Sequence, residues 1–134
     1  MRSIALAVLA MVVASACASA PAAAQDERVL AAESVVDRFR ALFEERPASI
    51  AEEVMGLDAG ARATWGPWLA RQRAWLGHVE SVGPRSVLTY PTKGWTTVEL
   101  RYETKFYGGS ARELFVVRVE HEGGSLAFWA WWWP

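Results

Sequence analysis

Hydrophobic residues recur with helical spacing over residues 26–46. Successive apolar positions in this stretch are separated by three or four residues: Val29, Ala32, Val36, Phe39 and Phe43. This spacing places them on one face of an amphipathic helix. Pro47 disfavours helical geometry in the residue before it. We therefore predict a first helix over 26–46 that buries a single stripe.

A second, shorter helix is predicted directly after Pro47. Ser49 and Glu52 have the spacing of a capping box, and Gly56 has the residue type that commonly ends a helix. Its inward residues would be Ile50, Val54 and Leu57.

A third helix is predicted to end at Gly77, and the pattern leaves its start open. One side of residues 61–76 carries the larger side chains: Trp65, Trp68, Leu69, Gln72, Trp75 and Leu76. Gly66 and Pro67 interrupt this stretch, and proline is tolerated in a first helical turn. The helix therefore begins either at residue 61 or at Pro67.

From His78 onward the hydrophobic period changes from helical to two. Alternating stretches cover residues 78–90, 95–106, 111–121 and 125–133, and short segments rich in turn residues separate them. Four consecutive strands with short connections form an antiparallel meander. Because the helices precede the sheet, the predicted class is α+β, with N-terminal helices packed on a curved four-stranded antiparallel sheet.

The first 24 residues have the pattern of a bacterial secretory signal. Arg2 precedes an apolar run over residues 4–16, which is shorter than the roughly 20 residues that span a bilayer. Two cleavage sites remain open. Cleavage before Cys17 would leave a lipidated cysteine, although Ala14 stands where the lipoprotein motif usually has leucine; cleavage after Ala24 would discard Cys17. We expect one exported domain over 26–134, periplasmic or anchored on the periplasmic side of a membrane.

The composition excludes several classes of chemistry. Cys17 is the sole cysteine, so the mature domain has no disulfide, cysteine nucleophile or zinc–cysteine cluster. Only two histidines are present, and we expect neither a metal nor a cofactor. Of 14 basic residues only Arg2 lies in the signal, so 13 face 15 acidic ones, and this acidic balance argues against nucleic-acid binding.

Three segments carry a resemblance to a known group of proteins. They are the helix-to-strand junction at residues 75–81 (WLGHVES), the strand at 100–106 (LRYETKF) and the turn at 120–124 (EHEGG). Over residues 65–134 the chain resembles small exported bacterial families of unknown function within the cystatin-like, nuclear-transport-factor-like superfamily. The resemblance implies helices packed on a curved sheet. In enzymes of that superfamily, a carboxylate or histidine projects into the space between helix and sheet.

Candidate catalytic groups are few. Tyr102 lies on the apolar face of the second strand, and His121 is in phase with the apolar residues of the third strand but falls at its end. A small enzyme of isomerase or dehydratase type would need both side chains in one pocket. We assign no catalytic residue, and we keep this enzyme as the alternative hypothesis.

Tryptophan is unusually concentrated at the chain end. Alternation predicts that Trp129, Trp131 and Trp133 share one face of the last strand, opposite Phe128, Ala130 and Trp132. Either the helices cover one of these rows, or the row forms a ridge for a partner, a ligand, a membrane surface or a second copy of the chain. The leading hypothesis is a non-catalytic envelope module that binds a protein partner or small apolar ligand through the helix–sheet concavity and this strand.

Overall fold

The computed structural model describes residues 26–134, so the predicted signal and Cys17 lie outside the described residues. Helix α1 covers residues 26–45 and is followed by a 3-10 turn at Pro47–Ser49 and by α2 at Ile50–Glu53. Helix α3 covers Ala59–Leu76. The strands follow in order: β1 Val79–Pro91, β2 Thr96–Phe106, β3 Gly109–Glu120 and β4 Gly123–Trp132. The predicted α+β architecture, three helices on an open four-stranded sheet, is confirmed.

The sheet is an antiparallel meander in the order β1-β2-β3-β4. The central pair is regular from Thr96 opposite Val119 to Phe106 opposite Gly109. The outer strands are irregular, because the β1–β2 register shifts in two places and the β3–β4 register shifts once. The central strands therefore form the regular part of the sheet, and the departures from ideal pairing lie at its two edges.

Aromatic rings fill the space between α1 and the sheet. The buried stripe of α1 brings Phe39 and Phe43 into contact with Phe106, Phe115 and Trp129 of three strands. Ring centroids in this cluster lie 4.9–6.5 Å apart, the range of favourable aromatic pairs. The helix–sheet concavity that the sequence suggested as a binding site is thus packed with side chains of the core.

The start of α2 differs from the prediction. Ser49 has helical backbone angles, and its side chain makes no capping hydrogen bond. Pro47 begins a 3-10 turn directly before α2, so Ser49 is already inside a helical segment and cannot act as an N-cap. The predicted inward residues Ile50 and Val54 are buried.

Helix α3 begins earlier than either predicted start. The Asp58 carboxylate accepts a hydrogen bond of 2.9 Å from the backbone N–H of Ala61 and caps the helix. Pro67 lies inside α3, where it removes the donor for the carbonyl of Ala63; that residue is exposed, so water can hydrate the carbonyl. The sequence had no signal for this tolerance, because it depends on which side of α3 faces solvent.

The end of α3 agrees with the prediction at Gly77 and differs at Trp75. Gly77 has φ +76°, and its N–H donates to the carbonyl of Arg73. Trp75 was expected on the packed side of α3 but is 69% exposed. Leu76, which was predicted on the same side, is buried as expected. Among residues 26–134, no helix has both the length and the hydrophobicity needed to cross a bilayer.

Candidate functional site: an aromatic groove beside the last strand

The terminal tryptophans lie in three different environments. Trp129 is buried, Trp131 is half-buried and Trp133 is exposed. The register shift in β4 leaves Ala127 without an opposing residue on β3, because Val116 pairs with Phe128 and Val117 with Leu126. This bulge turns both Leu126 and Trp129 toward the core, which strict alternation would not allow.

A groove of about 470 Å³ runs between α3 and β4. We call it the aromatic groove; its lining residues are Thr64, Trp65, Trp68, Arg71, Gln72, Phe128, Trp129, Ala130 and Trp131. Its volume falls within the range of small-molecule sites, about 300–1,000 Å³. Two of the lining residues, Trp65 and Phe128, are 37% and 46% exposed. The groove thus offers apolar aromatic surface to solvent.

The walls of the aromatic groove are held by side-chain contacts between α3 and β4. Trp65 meets Trp68 edge to face at 5.4 Å, and Trp68 meets Trp129 in the same way at 5.8 Å. The indole N–H of Trp131 donates to the side-chain oxygen of Gln72 at 2.8 Å. These contacts hold the rings in fixed orientations, and such preorganisation reduces the entropic cost of binding at any site that has it.

A buried carboxylate holds Trp129, the buried residue of the groove lining. Glu113 is 1% exposed, and Trp129 donates its indole N–H to Glu113 Oε2 at 2.9 Å. Glu113 Oε1 accepts hydrogen bonds from Arg40 at 3.0 Å and from the hydroxyl of Thr104. Both oxygens therefore have donors, as a buried charge requires. Glu113 fixes the Trp129 ring and does not itself line the groove.

Sequence reasoning missed Glu113, although a signal for it was present. On β3 the residue alternates in phase with Ala111, Phe115 and Val117, all of which are buried. An acidic residue on the apolar face of a strand must be paired or hydrogen-bonded when the sheet packs. Arg40 on α1 is the charged partner. The two residues lie 73 positions apart, so no local pattern indicates that they pair.

Arg40 also connects this cluster to Tyr102. Its guanidinium lies 5.0 Å from the centre of the Tyr102 ring and 5.3 Å from that of Phe115. Burial raises the pKa of the Tyr102 hydroxyl above 10.0, and the charge of Arg40 opposes this rise. The Tyr102 hydroxyl therefore stays protonated at pH 7, and the uncharged ring packs against the Arg40 guanidinium.

The structure does not bring Tyr102 and His121 together. Tyr102 pairs with Glu113 across the β2–β3 ladder, whereas His121 is exposed in the turn between β3 and β4. Eight residues of extended chain separate Glu113 from His121, roughly 27 Å at the rise of an antiparallel strand. The single pocket that the alternative enzyme hypothesis requires of this pair is not formed, because β3 carries His121 away from the core.

The structure also separates the three tryptophans that were predicted to form one binding row, Trp129, Trp131 and Trp133. Trp129 and Trp131 line the aromatic groove, and Trp133 lies beyond it. Trp133 meets Trp131 edge to face at 4.9 Å and covers Gly109, where an added Cβ would come within 3.2 Å of the ring. Helix α3 supplies the opposite wall, which period-two alternation within β4 alone could not reveal.

Comparison of the chain with models of known protein families, with curated proteins and with solved structures found no match. The resemblance to exported families of the cystatin-like, nuclear-transport-factor-like superfamily therefore stays a prediction. The fold and the site define an α+β domain with an aromatic groove at the edge of its sheet.

Proposed function

We propose that this protein is a non-catalytic binding module that holds an apolar group of a protein partner or small ligand in the aromatic groove. The observation that carries the proposal is the set of oriented aromatic rings lining an open groove. Monomeric proteins seldom expose clustered aromatic surface unless it serves an interaction. The site is the groove beside β4, because core rings occupy the space under α1.

The polar groups around the groove fit binding better than catalysis. Thr64, Arg71 and Gln72 are its polar lining residues, and Gln72 is engaged with Trp131. Glu113, the carboxylate that bonds to the lining residue Trp129, does not line the groove and has donors on both oxygens. A general base needs access to a substrate proton, which this arrangement does not offer. A few polar groups around apolar walls set the orientation of a bound group.

Titration with the neutral dye Nile red tests this assignment. We expect saturable binding with enhanced dye fluorescence, because the dye would leave water for the apolar surface of the rings. Phe128→Ser should weaken dye binding about tenfold, since it removes an aromatic ring worth about 1.5 kcal/mol or more on burial. Both the wild type and the variant should keep the same far-UV circular dichroism, because Phe128 is 46% exposed.

Trp75→Ser is the matched control for this titration. Trp75 is an exposed aromatic on the same helix as Trp65 but lies outside the groove. We expect its loss to leave the dye affinity within about twofold of wild type, since no groove contact changes. Equal affinity of the wild type, Phe128→Ser and Trp75→Ser proteins would contradict binding in the groove.

We further propose that the module is exported and works in the periplasm or on its membrane face. The support is the charged residue, apolar run and small residues of the first 24 positions. Intact-mass analysis of the protein isolated from its native envelope tests this. A chain that begins at an acylated Cys17 or at Gln25 is expected, and a chain that retains residues 1–16 would contradict export.

A further inference from the structure

The two edges of the sheet differ in charge and regularity. Strand β1 carries Glu80, Pro84, Arg85 and Pro91 and two register shifts, which are features that prevent an edge from pairing with other chains. None of the ten residues of β4, Gly123–Trp132, is charged. An uncharged, aromatic edge strand is a template for strand addition. The β4 edge therefore lacks the charges and prolines that protect the β1 edge.

One backbone group near the middle of β4 is bonded to a part of the fold outside the sheet. The backbone N–H of Leu126 donates to the carbonyl of Val54 at the end of α2, at 3.0 Å. From residue 127 to 132, the described structure contains no backbone hydrogen bond of β4 outside its ladder with β3. Residues 128–131 of this stretch line the aromatic groove. The backbone donors and acceptors at the outer edge of residues 127–132 thus lie next to the aromatic groove.

One arginine of the groove wall also lacks a partner. Helix α3 carries three arginines, of which Arg62 pairs with Glu52 at 2.8 Å and Arg73 pairs with Glu44 at 3.2 Å. Arg71 is exposed, lines the groove and has no ion pair among residues 26–134. A carboxylate bound in the groove could form an ion pair with the Arg71 guanidinium.

We infer that the aromatic groove takes an extended apolar segment of another protein, which adds a fifth strand to the open edge of β4. This inference rests on the proposed function and names its ligand class. Backbone hydrogen bonds to residues 127–132 would hold the segment in register. Its apolar side chains would contact Trp65, Trp68 and Phe128, and an acidic side chain or terminal carboxylate would meet Arg71. Six residues of strand span about 20 Å, so the segment is short.

Fluorescence anisotropy with a labelled hexapeptide tests the inference. The probe alternates valine and threonine, ends in glutamate and has an amidated C-terminus, and a second amidated probe ends in lysine instead. We expect the glutamate peptide to bind about fivefold more tightly than the lysine peptide, since one exposed ion pair contributes up to about 1 kcal/mol. Arg71→Glu should remove or reverse this preference. Lys93→Glu makes the same change of charge in the exposed β1–β2 turn and should leave it unchanged.

N-methylated peptides test strand addition itself. Successive backbone amides of a strand point in opposite directions, so methylation of every second amide gives two peptides that block opposite edges. We expect one of them to lose at least about tenfold in affinity, because it loses its hydrogen bonds to β4, and the other to bind as the parent does. Equal affinity of both methylated peptides would overturn strand addition.

The outcomes separate this inference from the proposed function. Nile red binding that depends on Phe128, together with no binding of any hexapeptide, would overturn the inference and leave the groove as a binding site. A concentration-dependent dimer in sedimentation that Phe128→Ser dissociates, together with no binding of any hexapeptide, would assign this surface to a second copy of the chain and overturn the inference as well.

Discussion

Replacing Glu113 with glutamine is expected to lower the free energy of unfolding by about 3 kcal/mol. Removing one partner of a buried ion pair leaves the other charge without compensation, at a cost of about 3–5 kcal/mol. Arg40 keeps 17% of its side chain exposed, which places the expected loss at the low end of that range. Urea denaturation followed by far-UV circular dichroism measures the change.

The matched control for this prediction is Glu103→Gln on the neighbouring strand. Glu103 is 75% exposed, and its contact with Arg112 is long, at 3.8 Å. We expect its replacement to cost less than about 0.5 kcal/mol, as is usual for exposed ion pairs. If both glutamine variants unfolded at the same urea concentration as the wild type, the buried cluster would have no role in stability.

Truncation of Trp129 to alanine is the second large effect, with an expected loss of about 3–5 kcal/mol. The ring is in contact with four others, Phe39, Phe43, Trp68 and Phe115, with centroids 4.9–6.5 Å away. Its removal opens a cavity under the groove and also leaves Glu113 without one donor. Urea denaturation reports the loss of stability.

Two further variants divide the Trp129 effect into its parts. Trp129→Phe keeps an aromatic ring but removes the N–H donor to Glu113, so we expect an intermediate loss of about 1–3 kcal/mol. Trp133→Ala serves as the control, because Trp133 is an exposed tryptophan of the same terminal segment, and it should cost less than about 1 kcal/mol. A Trp129→Ala protein as stable as the Trp133→Ala protein would contradict a core role for Trp129.

The fold was largely predictable because its signals are local. The three- and four-residue steps from Val29 to Phe43 define the buried stripe of α1, and the change to a period of two at residue 78 marks the sheet. Short, turn-rich connections leave an antiparallel meander as the simplest arrangement. Trp129 and Trp131 could be named as site residues on the same grounds, since alternation alone places them on one face of β4.

The rest of the site depends on contacts between residues distant in sequence. The Glu113 carboxylate is stable in the core because Arg40, 73 positions earlier in the chain, lies against it. The groove exists because α3 packs beside β4. Neither segment carries a sequence pattern that predicts this contact. The bulge at Ala127 reverses the alternation within β4, and a single-sequence pattern cannot distinguish a bulge from a regular strand.

The hydrogen bond between Leu126 and Val54 limits how far other chains can pair with β4. An uncharged edge strand that was open along its full length could pair with the same strand of further copies and grow into fibrous aggregates. With α2 attached at Leu126, another chain could pair with residues 127–132 but not with all ten residues of the strand. The same contact therefore limits the length of any ladder that β4 could form with another copy of the chain.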